Sequence, residues 1–165
     1  MNSSEENITP TRFTLRKPEK LRHKNLVDPL FREGKSSYCY PLRMVWRQLS
    51  DDELTAAFRN GLPREIGPVQ MMITIPKKKR RRAVDRVLMR RRIREAYRLS
   101  RLPMVETAKA SPSGGTVSVS FIYMATENIP YAKIDRSMKI LLSRLSSEIS
   151  PKDNDSILPS SESGE

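Results

Sequence analysis

Arginine and lysine side chains are concentrated in one short segment of the chain, residues 76–101. The sequence has 165 residues, with 31 Lys and Arg against 19 Asp and Glu, which gives a formal net charge of +12. Segment 76–101 holds 13 of the basic residues and two acidic ones, whereas residues 1–75 and 102–165 carry net charges of +3 and −2. A dense cluster of cations on a nearly neutral chain is typical of a protein that binds a polyanion.

The basic segment has two parts. Lys77–Arg82 is a run of six consecutive cations, whose mutual repulsion favours a loop. From Asp85 onward the residues have a helical period, with apolar residues on one side of the helix (Met89, Ile93, Ala96 and, at the border, Tyr97). A second side carries Arg90, Arg94, Arg98 and Arg101, joined at its edge by Arg91.

Arginines four residues apart on a helix lie about 6 Å from one another along its axis, a spacing suited to successive phosphates. The planar guanidinium group binds phosphate through two parallel hydrogen bonds and stacks on bases, so the preference for arginine favours nucleic acid. A merely solubilising surface would mix both signs of charge more evenly. A helix lying on a membrane would need larger apolar groups opposite its cations than this segment offers.

The sequence offers little for catalysis by the protein's own side chains. His23 is the single histidine and lies among cations, and Cys39 is the single cysteine, so we predict neither a catalytic residue nor a metal site. The lone cysteine excludes an internal disulfide. The N-terminus lacks the basic start and apolar core of a secretory signal, and no apolar run approaches the ~20 residues that span a bilayer. These features predict a cytoplasmic protein that does not bind a membrane.

The remaining sequence predicts an α+β domain. A helical period runs through Lys20–Glu33, with a break expected at Asp28-Pro29 because proline disrupts a helix interior. Strand regions follow at Tyr38–Leu49, Val69–Ile75 and Thr116–Ala125, and an amphipathic helix at Ala132–Glu148. Residues 51–68 form a long connection with one helical turn at Leu54–Arg59. We predict one domain over residues 14–149, with disordered polar tails at 1–13 and 150–165.

The sequence resembles the bacterial ribonuclease P protein family in its Bacteroidetes-like form, over about Thr14 to Glu148. The strongest match lies in the basic element, with Lys77-Lys78-Lys79, Ala83-Val84, Arg86, Arg90-Arg91 and Arg94-Glu95-Ala96-Tyr97 in the family's order. Three further matches occur in order: Lys20-Leu21-Arg22 through Lys35, Thr74-Ile75-Pro76-Lys77, and Ile129-Pro130-Tyr131 through Met138. The chain departs from the family at Val87 and Leu88, where Asn and Arg are usual.

The resemblance implies a four-stranded mixed sheet with three helices, in the order helix-strand-strand-strand-helix-strand-helix, so Tyr38–Leu49 would supply two strands. It implies a ribonucleoprotein endoribonuclease in which the RNA binds Mg²⁺ and removes the 5′ leader of precursor tRNA. The partners are ribonuclease P RNA and precursor tRNA, with one protein per RNA and a monomer when free. A structural RNA-binding protein, similar to a ribosomal protein, is the alternative.

The resemblance also assigns two sets of binding residues. Catalytic-RNA binding is expected of the cations of the basic element, which are Lys77, Lys78, Lys79, Arg80, Arg81, Arg82, Arg86, Arg90, Arg91, Arg94 and Arg98. The single-stranded leader is expected in a cleft between the first helix and the sheet, lined by Val27, Phe31, Trp46 and Tyr123. Stacking on aromatic rings tolerates any base and so suits a leader of varied sequence. For Trp46 and Tyr123, a place in the core is an equal alternative.

Overall fold

The computed structural model describes residues 14–63, 66–111 and 114–150. After a short 3₁₀ turn at Lys17–Glu19, the elements are α1 (Lys24–Glu33), β1 (Lys35–Cys39), β2 (Leu42–Leu49), α2 (Asp51–Ala57), β3 (Val69–Thr74), α3 (Ala83–Ser100), α4 (Leu102–Lys109), β4 (Thr116–Tyr123) and α5 (Tyr131–Ile149). The predicted tails at 1–13 and 150–165 lie, except for Ser150, outside the described residues, so the domain boundaries remain a prediction.

The four strands form one mixed sheet in the order β1-β2-β4-β3. The pairs β1–β2 and β2–β4 are antiparallel, whereas β3 and β4 are parallel and are connected through α3 and α4. Tyr38–Leu49 supplies parts of two strands that turn at Tyr40-Pro41, as the family resemblance implies. The predicted α+β class and four-stranded sheet are confirmed.

Helices cover both faces of the sheet. The larger core packs α3, α4 and α5 against the sheet face that carries Met44, Val119 and Phe121. The smaller core lies on the opposite face, where α1 and α2 pack Leu26, Leu30 and Leu54 against Val45 and Leu49 of β2. This second face is the one that can form a cleft with α1.

The helices differ from the prediction in number and in detail. Five α-helices are described rather than three, because α2 was expected only as one helical turn and α4 was not predicted. Ser50 begins α2 with a capping box, in which its hydroxyl accepts from Glu53 N and Glu53 Oε2 accepts from Ser50 N. Asp51 Oδ1 then accepts from Gly115 N at 2.8 Å, which joins α2 to the start of β4.

The predicted break in the first helix is wrong. Pro29 lies inside an uninterrupted α1, although a proline in a helix interior costs about 3 kcal/mol. Asn25, whose carbonyl loses its helical partner, is exposed, so water can replace that hydrogen bond. Leu26 and Leu30 are almost completely buried on both sides of the proline, and this burial holds the helix together.

Candidate nucleic-acid interface

Helix α3 is oriented as its helical period predicts. Met89, Ile93, Ala96 and Tyr97 are fully buried in the larger core. Burial raises the pKa of the Tyr97 phenol well above its ordinary value, so this side chain is neutral in the core. The buried stripe fixes the rotation of α3 and turns its other side outward.

The outward side of α3 and the loop before it carry cations that are exposed or, for Lys79 and Arg90, half-buried. Within the described residues, most of them make no side-chain hydrogen bond or ion pair: Lys77, Lys78, Lys79, Arg81, Arg90, Arg91 and Arg94. Arg82 is also exposed and lies near Asp85, whose pKa its charge helps to lower. These side chains can bind phosphate without first breaking a contact within the protein.

Two predicted RNA-binding residues instead hold the loop in place. Arg80 is mostly buried, pairs with Asp85 at 2.9 Å and donates to the carbonyl of Thr126 at 2.6 Å. Arg86 Nη1 donates to the carbonyls of Arg80 and Arg81. A hydrogen bond from Asn128, aided by the charges of Arg80 and Arg82, lowers the pKa of Asp85. We call these contacts among Arg80, Asp85, Arg86, Thr126 and Asn128 the loop clamp.

The row of arginines expected along α3 is shorter than predicted. Arg98 pairs with Glu95 at 2.6 Å, and this hydrogen bond lowers the pKa of the Glu95 carboxyl. Arg101 is 3% exposed and pairs with Glu19 at 2.8 Å, so it points inward and does not belong to the row. This ion pair was not predicted, because Glu19 is far from Arg101 in the chain and no local pattern links the two residues. Arg90, Arg91 and Arg94 remain as the outward row.

A shallow groove of about 490 Å³ lies beside this row, between α3 and the start of α5. Its lining residues are Arg91, Arg92, Arg94, Glu95, Arg98 and Tyr131. Arg92, which was not among the predicted binding residues, donates to the carbonyl of Ile129 at 2.6 Å and so fixes one wall. Burial, with the charges of Asp135 and Glu95, raises the pKa of Tyr131, so its protonated hydroxyl can donate to a phosphate.

A second candidate surface lies on the opposite face of the sheet, beside α1. Asn25 donates to the carbonyl of Ala57 in α2 at 3.0 Å and Glu33 pairs with Arg47 of β2 at 3.2 Å, and these contacts hold one flank of α1. Val27 and Phe31 are one turn apart and so share a flank, and at about 100° per residue that flank is turned away from Asn25 and Glu33. Val27 packs against the smaller core, whereas Phe31 is 48% exposed.

The sheet beside that flank presents a row of side chains across all four strands. Arg43 is paired with Tyr38 on one side and with Ile122 on the other, and Ile122 with Thr74, so these four side chains share a face. Ile122 packs on the same small core as Val27, which identifies this face as that of α1. Tyr38 is 54% exposed and Arg43 is exposed. We call Phe31, Tyr38, Arg43, Thr74 and Ile122 the sheet cleft.

Two of the four residues predicted for the leader cleft lie elsewhere. Tyr123 is fully buried in the larger core and its hydroxyl donates to the carbonyl of Glu127, so it cannot stack on a nucleotide in this fold. Trp46 is 6% exposed on that same opposite face, with the Lys35 ammonium 5.3 Å from its ring centroid. The assignment of both to the cleft is therefore corrected. Tyr38 and Arg43 were missed, although both lie in the predicted strand region.

Two further observations concern other kinds of site. Over residues 14–63, 66–111 and 114–150 no group of three or more His, Cys, Asp or Glu side chains could hold a metal ion. None of the helices in these ranges is long and apolar enough to cross a membrane.

The fold and its surfaces define a class: an α+β protein with a cationic helix on one side of its sheet and exposed aromatic side chains on the other. The family described as Ribonuclease P matches residues 15–146. The ribonuclease P protein components of two Porphyromonas gingivalis strains are 29% and 28% identical over 141 residues, covering 86% of this chain and 93% of theirs. The chain belongs to the ribonuclease P protein family, which confirms the resemblance.

Solved structures share the fold. The RNase P protein from Thermotoga maritima superposes with a TM-score of 0.52 at 18% identity, covering 76% of this chain and 96% of that one. A mutant RNase P protein from Staphylococcus aureus gives a TM-score of 0.52 at 16% identity, with 76% and 86% covered. These similarities concern the fold.

Proposed function

We propose that this chain is the protein subunit of ribonuclease P and assists a catalytic RNA in removing the 5′ leader of precursor tRNA. The RNA subunit carries out the hydrolysis and binds the Mg²⁺. The protein binds the RNA subunit through α3 and the preceding loop, and the single-stranded leader through the sheet cleft. Family membership favours this role over that of a structural, ribosomal-protein-like RNA binder.

The observation that carries the proposal is the orientation of α3. Its buried stripe places the cations of Arg90, Arg91 and Arg94 outward, and the loop clamp holds Lys77–Arg82 next to them. The helix and the clamped loop hold the backbone of these cations in place, so they can displace the counterions of an RNA without the cost of ordering a loop. Arg98 contributes to the groove wall while paired with Glu95.

The sheet cleft supports the second part of the proposal. Phe31 and Tyr38 expose aromatic surface on which bases can stack. Arg43 of β2, which is paired with Tyr38 of β1, can form an ion pair with a phosphate. Val27 supports the flank of α1 that carries Phe31. Stacking does not depend on base identity, which a leader of variable sequence requires.

The proposal includes one protein per RNA, a monomeric free protein and a cytoplasmic location, where precursor tRNA is processed. Its test is reconstitution with the bacterial ribonuclease P RNA. Adding one equivalent of protein should lower the Mg²⁺ concentration needed for half-maximal cleavage of precursor tRNA. A basic ribosomal protein at the same concentration serves as the control, and an equal effect from that control would contradict the proposal.

The cationic row can be tested separately by salt titration. We expect the Arg90→Ala, Arg94→Ala double variant to reduce the slope of log affinity against log salt by about one to two, since each phosphate contact contributes nearly one. Arg59→Ala removes an exposed cation on the other side of the sheet and should leave the slope unchanged. An unchanged slope in the double variant would remove the row from the interface.

A further inference from the structure

The first turns of α3 expose two apolar side chains in the middle of the cationic surface. Val84 is 69% exposed and Val87 is 45% exposed. They are three residues apart and therefore neighbours on the helix surface. Arg91 follows Val87 by four residues on the same side of the helix, and Arg90 and Arg94 border it. We call Val84 and Val87 the valine patch.

Packing within the protein does not account for the valine patch. The two valines lie on the side of α3 opposite the buried residues Met89 and Ile93, and neither belongs to a core cluster of the described residues. Isolated exposed apolar residues are common. Here, however, two exposed valines are neighbours, and they lie on the outward side of α3 between the row of arginines and the cationic loop.

The surroundings identify the partner that suits the patch. Cations lie on both sides of it: the exposed Arg81 and Arg82 before it, and the exposed Arg91 with the half-buried Arg90 after it. An apolar protein surface or a second copy of this chain, which would bring the same positive charge, is electrostatically disfavoured there. A nucleic acid satisfies both requirements, since its phosphates are anionic while the faces of its bases and riboses are apolar.

We propose that the valine patch lies against the base and ribose of an unstacked nucleotide of the ribonuclease P RNA, while the adjacent phosphates bind Arg90, Arg91 and the loop cations. The inference rests on the proposed function and adds an apolar contact to it. The loop clamp contributes because it fixes the approach to the first turn of α3, so the patch is held in one position before the RNA binds.

Salt titration separates this contact from the phosphate contacts. Burial of apolar surface contributes affinity that does not depend on counterion release, so it shifts a plot of log affinity against log salt without changing its slope. The experiment measures binding of the full chain to ribonuclease P RNA transcribed from the genome that encodes it. The variants are the Val84→Ser, Val87→Ser double variant and the Val84→Ile, Val87→Ile double variant.

We expect the serine variant to lose about fivefold to tenfold in affinity at every salt concentration, with the wild-type slope, as removing exposed apolar contact area predicts. The isoleucine variant should bind as tightly as the wild type. Serine and valine have similar helix propensities, so α3 should persist, which circular dichroism checks. The matched control is Ile140→Ser, which removes an apolar side chain with 39% exposure from α5 and should not weaken binding.

Three results would overturn the inference: unchanged affinity in the serine variant, an equal loss in Ile140→Ser, or a change of slope. Sedimentation of the free protein tests whether the valine patch instead binds a second copy of the chain. A wild-type dimer that the serine variant converts to a monomer would assign the patch to that contact and overturn the inference. Failure of the proposed function gives a different result. In that case the wild-type chain itself would bind ribonuclease P RNA no better than an unrelated structured RNA.

Discussion

The arginines of the basic element serve two different purposes. Arg80, Arg86 and Arg92 donate to backbone carbonyls, and Arg98 and Arg101 pair with Glu95 and Glu19. The guanidinium group suits both purposes because its five donors fit carbonyls and carboxylates as well as phosphates. A count of cations therefore overestimates the number of phosphate contacts. The salt dependence of RNA binding should reflect only those cations that face solvent.

Asp85 gives the loop clamp a dependence on pH. The hydrogen bond from Asn128, with the charges of Arg80 and Arg82, lowers the pKa of Asp85 below its ordinary value of 3.8. Its contribution to stability is therefore fully present above that value and is lost as the pH falls through the lower, folded-state pKa. We expect Asp85→Asn to lower the free energy of unfolding at pH 7, and to make a much smaller difference at pH values below the folded-state pKa.

Denaturant unfolding of both proteins from neutral to acidic pH measures this difference. Asp28→Asn, which changes an exposed carboxylate on α1, is the control and should show a small difference at every pH. If the difference between Asp85→Asn and the wild type were the same at neutral and acidic pH, Asp85 would act through packing rather than through its charge.

At the scale of elements, the alternation of side chains along β2 and β4 already indicated that Trp46 and Tyr123 lie in the core rather than in the cleft. Trp46 is two and four residues from Met44 and Leu42, so the three side chains lie on the same face of β2. Tyr123 shares a face of β4 with Val119 and Phe121 in the same way, and in both strands this is the buried face. Because these residues are aromatic, they were expected to stack on nucleotides, but their positions in the strands predict that their side chains are buried in the core. Tyr38 could not be assigned in the same way, because helices cover both faces of the sheet and β1 gives no clear alternation.

The helices show where local signals are sufficient and where they are not. The residues of α5 and α3 follow a clear helical period, and both helices form close to the predicted bounds. The continuity of α1 through Pro29 depends on the tertiary burial of Leu26 and Leu30, which the sequence does not reveal. The start of α2 was visible as Ser50-x-x-Glu53, a capping-box signature, yet the prediction placed only one helical turn later in the segment.

The capping box gives a prediction for α2. Ser50→Ala removes the hydroxyl that accepts from Glu53 N, so we expect the free energy of unfolding to fall by about 1 kcal/mol. Chemical denaturation measures the change, and Ser50→Asp, which can also cap a helix, should restore most of the loss. A fall in stability with Ser50→Asp as large as with Ser50→Ala would show that the side-chain cap is not what stabilises α2.

At the scale of the whole molecule, the sheet separates two binding surfaces. Helix α3 covers one face, and the sheet cleft opens on the other. The loop Lys77–Arg82 begins three residues after Thr74, which ends β3 and belongs to the sheet cleft. The loop therefore connects the two surfaces at one end of the sheet. Under the proposed function, this arrangement lets one small protein contact the catalytic RNA and the substrate leader at the same time, and its cations reduce the repulsion between the two RNAs.

The separation predicts that the two surfaces can be inactivated independently. Phe31 and Tyr38 are exposed, so the Phe31→Ala, Tyr38→Ala double variant should fold normally and bind ribonuclease P RNA as the wild type does. Its holoenzyme should bind leader-containing precursor tRNA at least tenfold more weakly, since stacking contributes about 1–3 kcal/mol per base. Its affinity for mature tRNA, which has no leader, should be unchanged. The measurement is the ratio of the two dissociation constants, with Ile140→Ala on α5 as the control. Equal losses for both RNAs would place Phe31 and Tyr38 outside the leader path, while a loss of ribonuclease P RNA binding would show that the two surfaces are not separate.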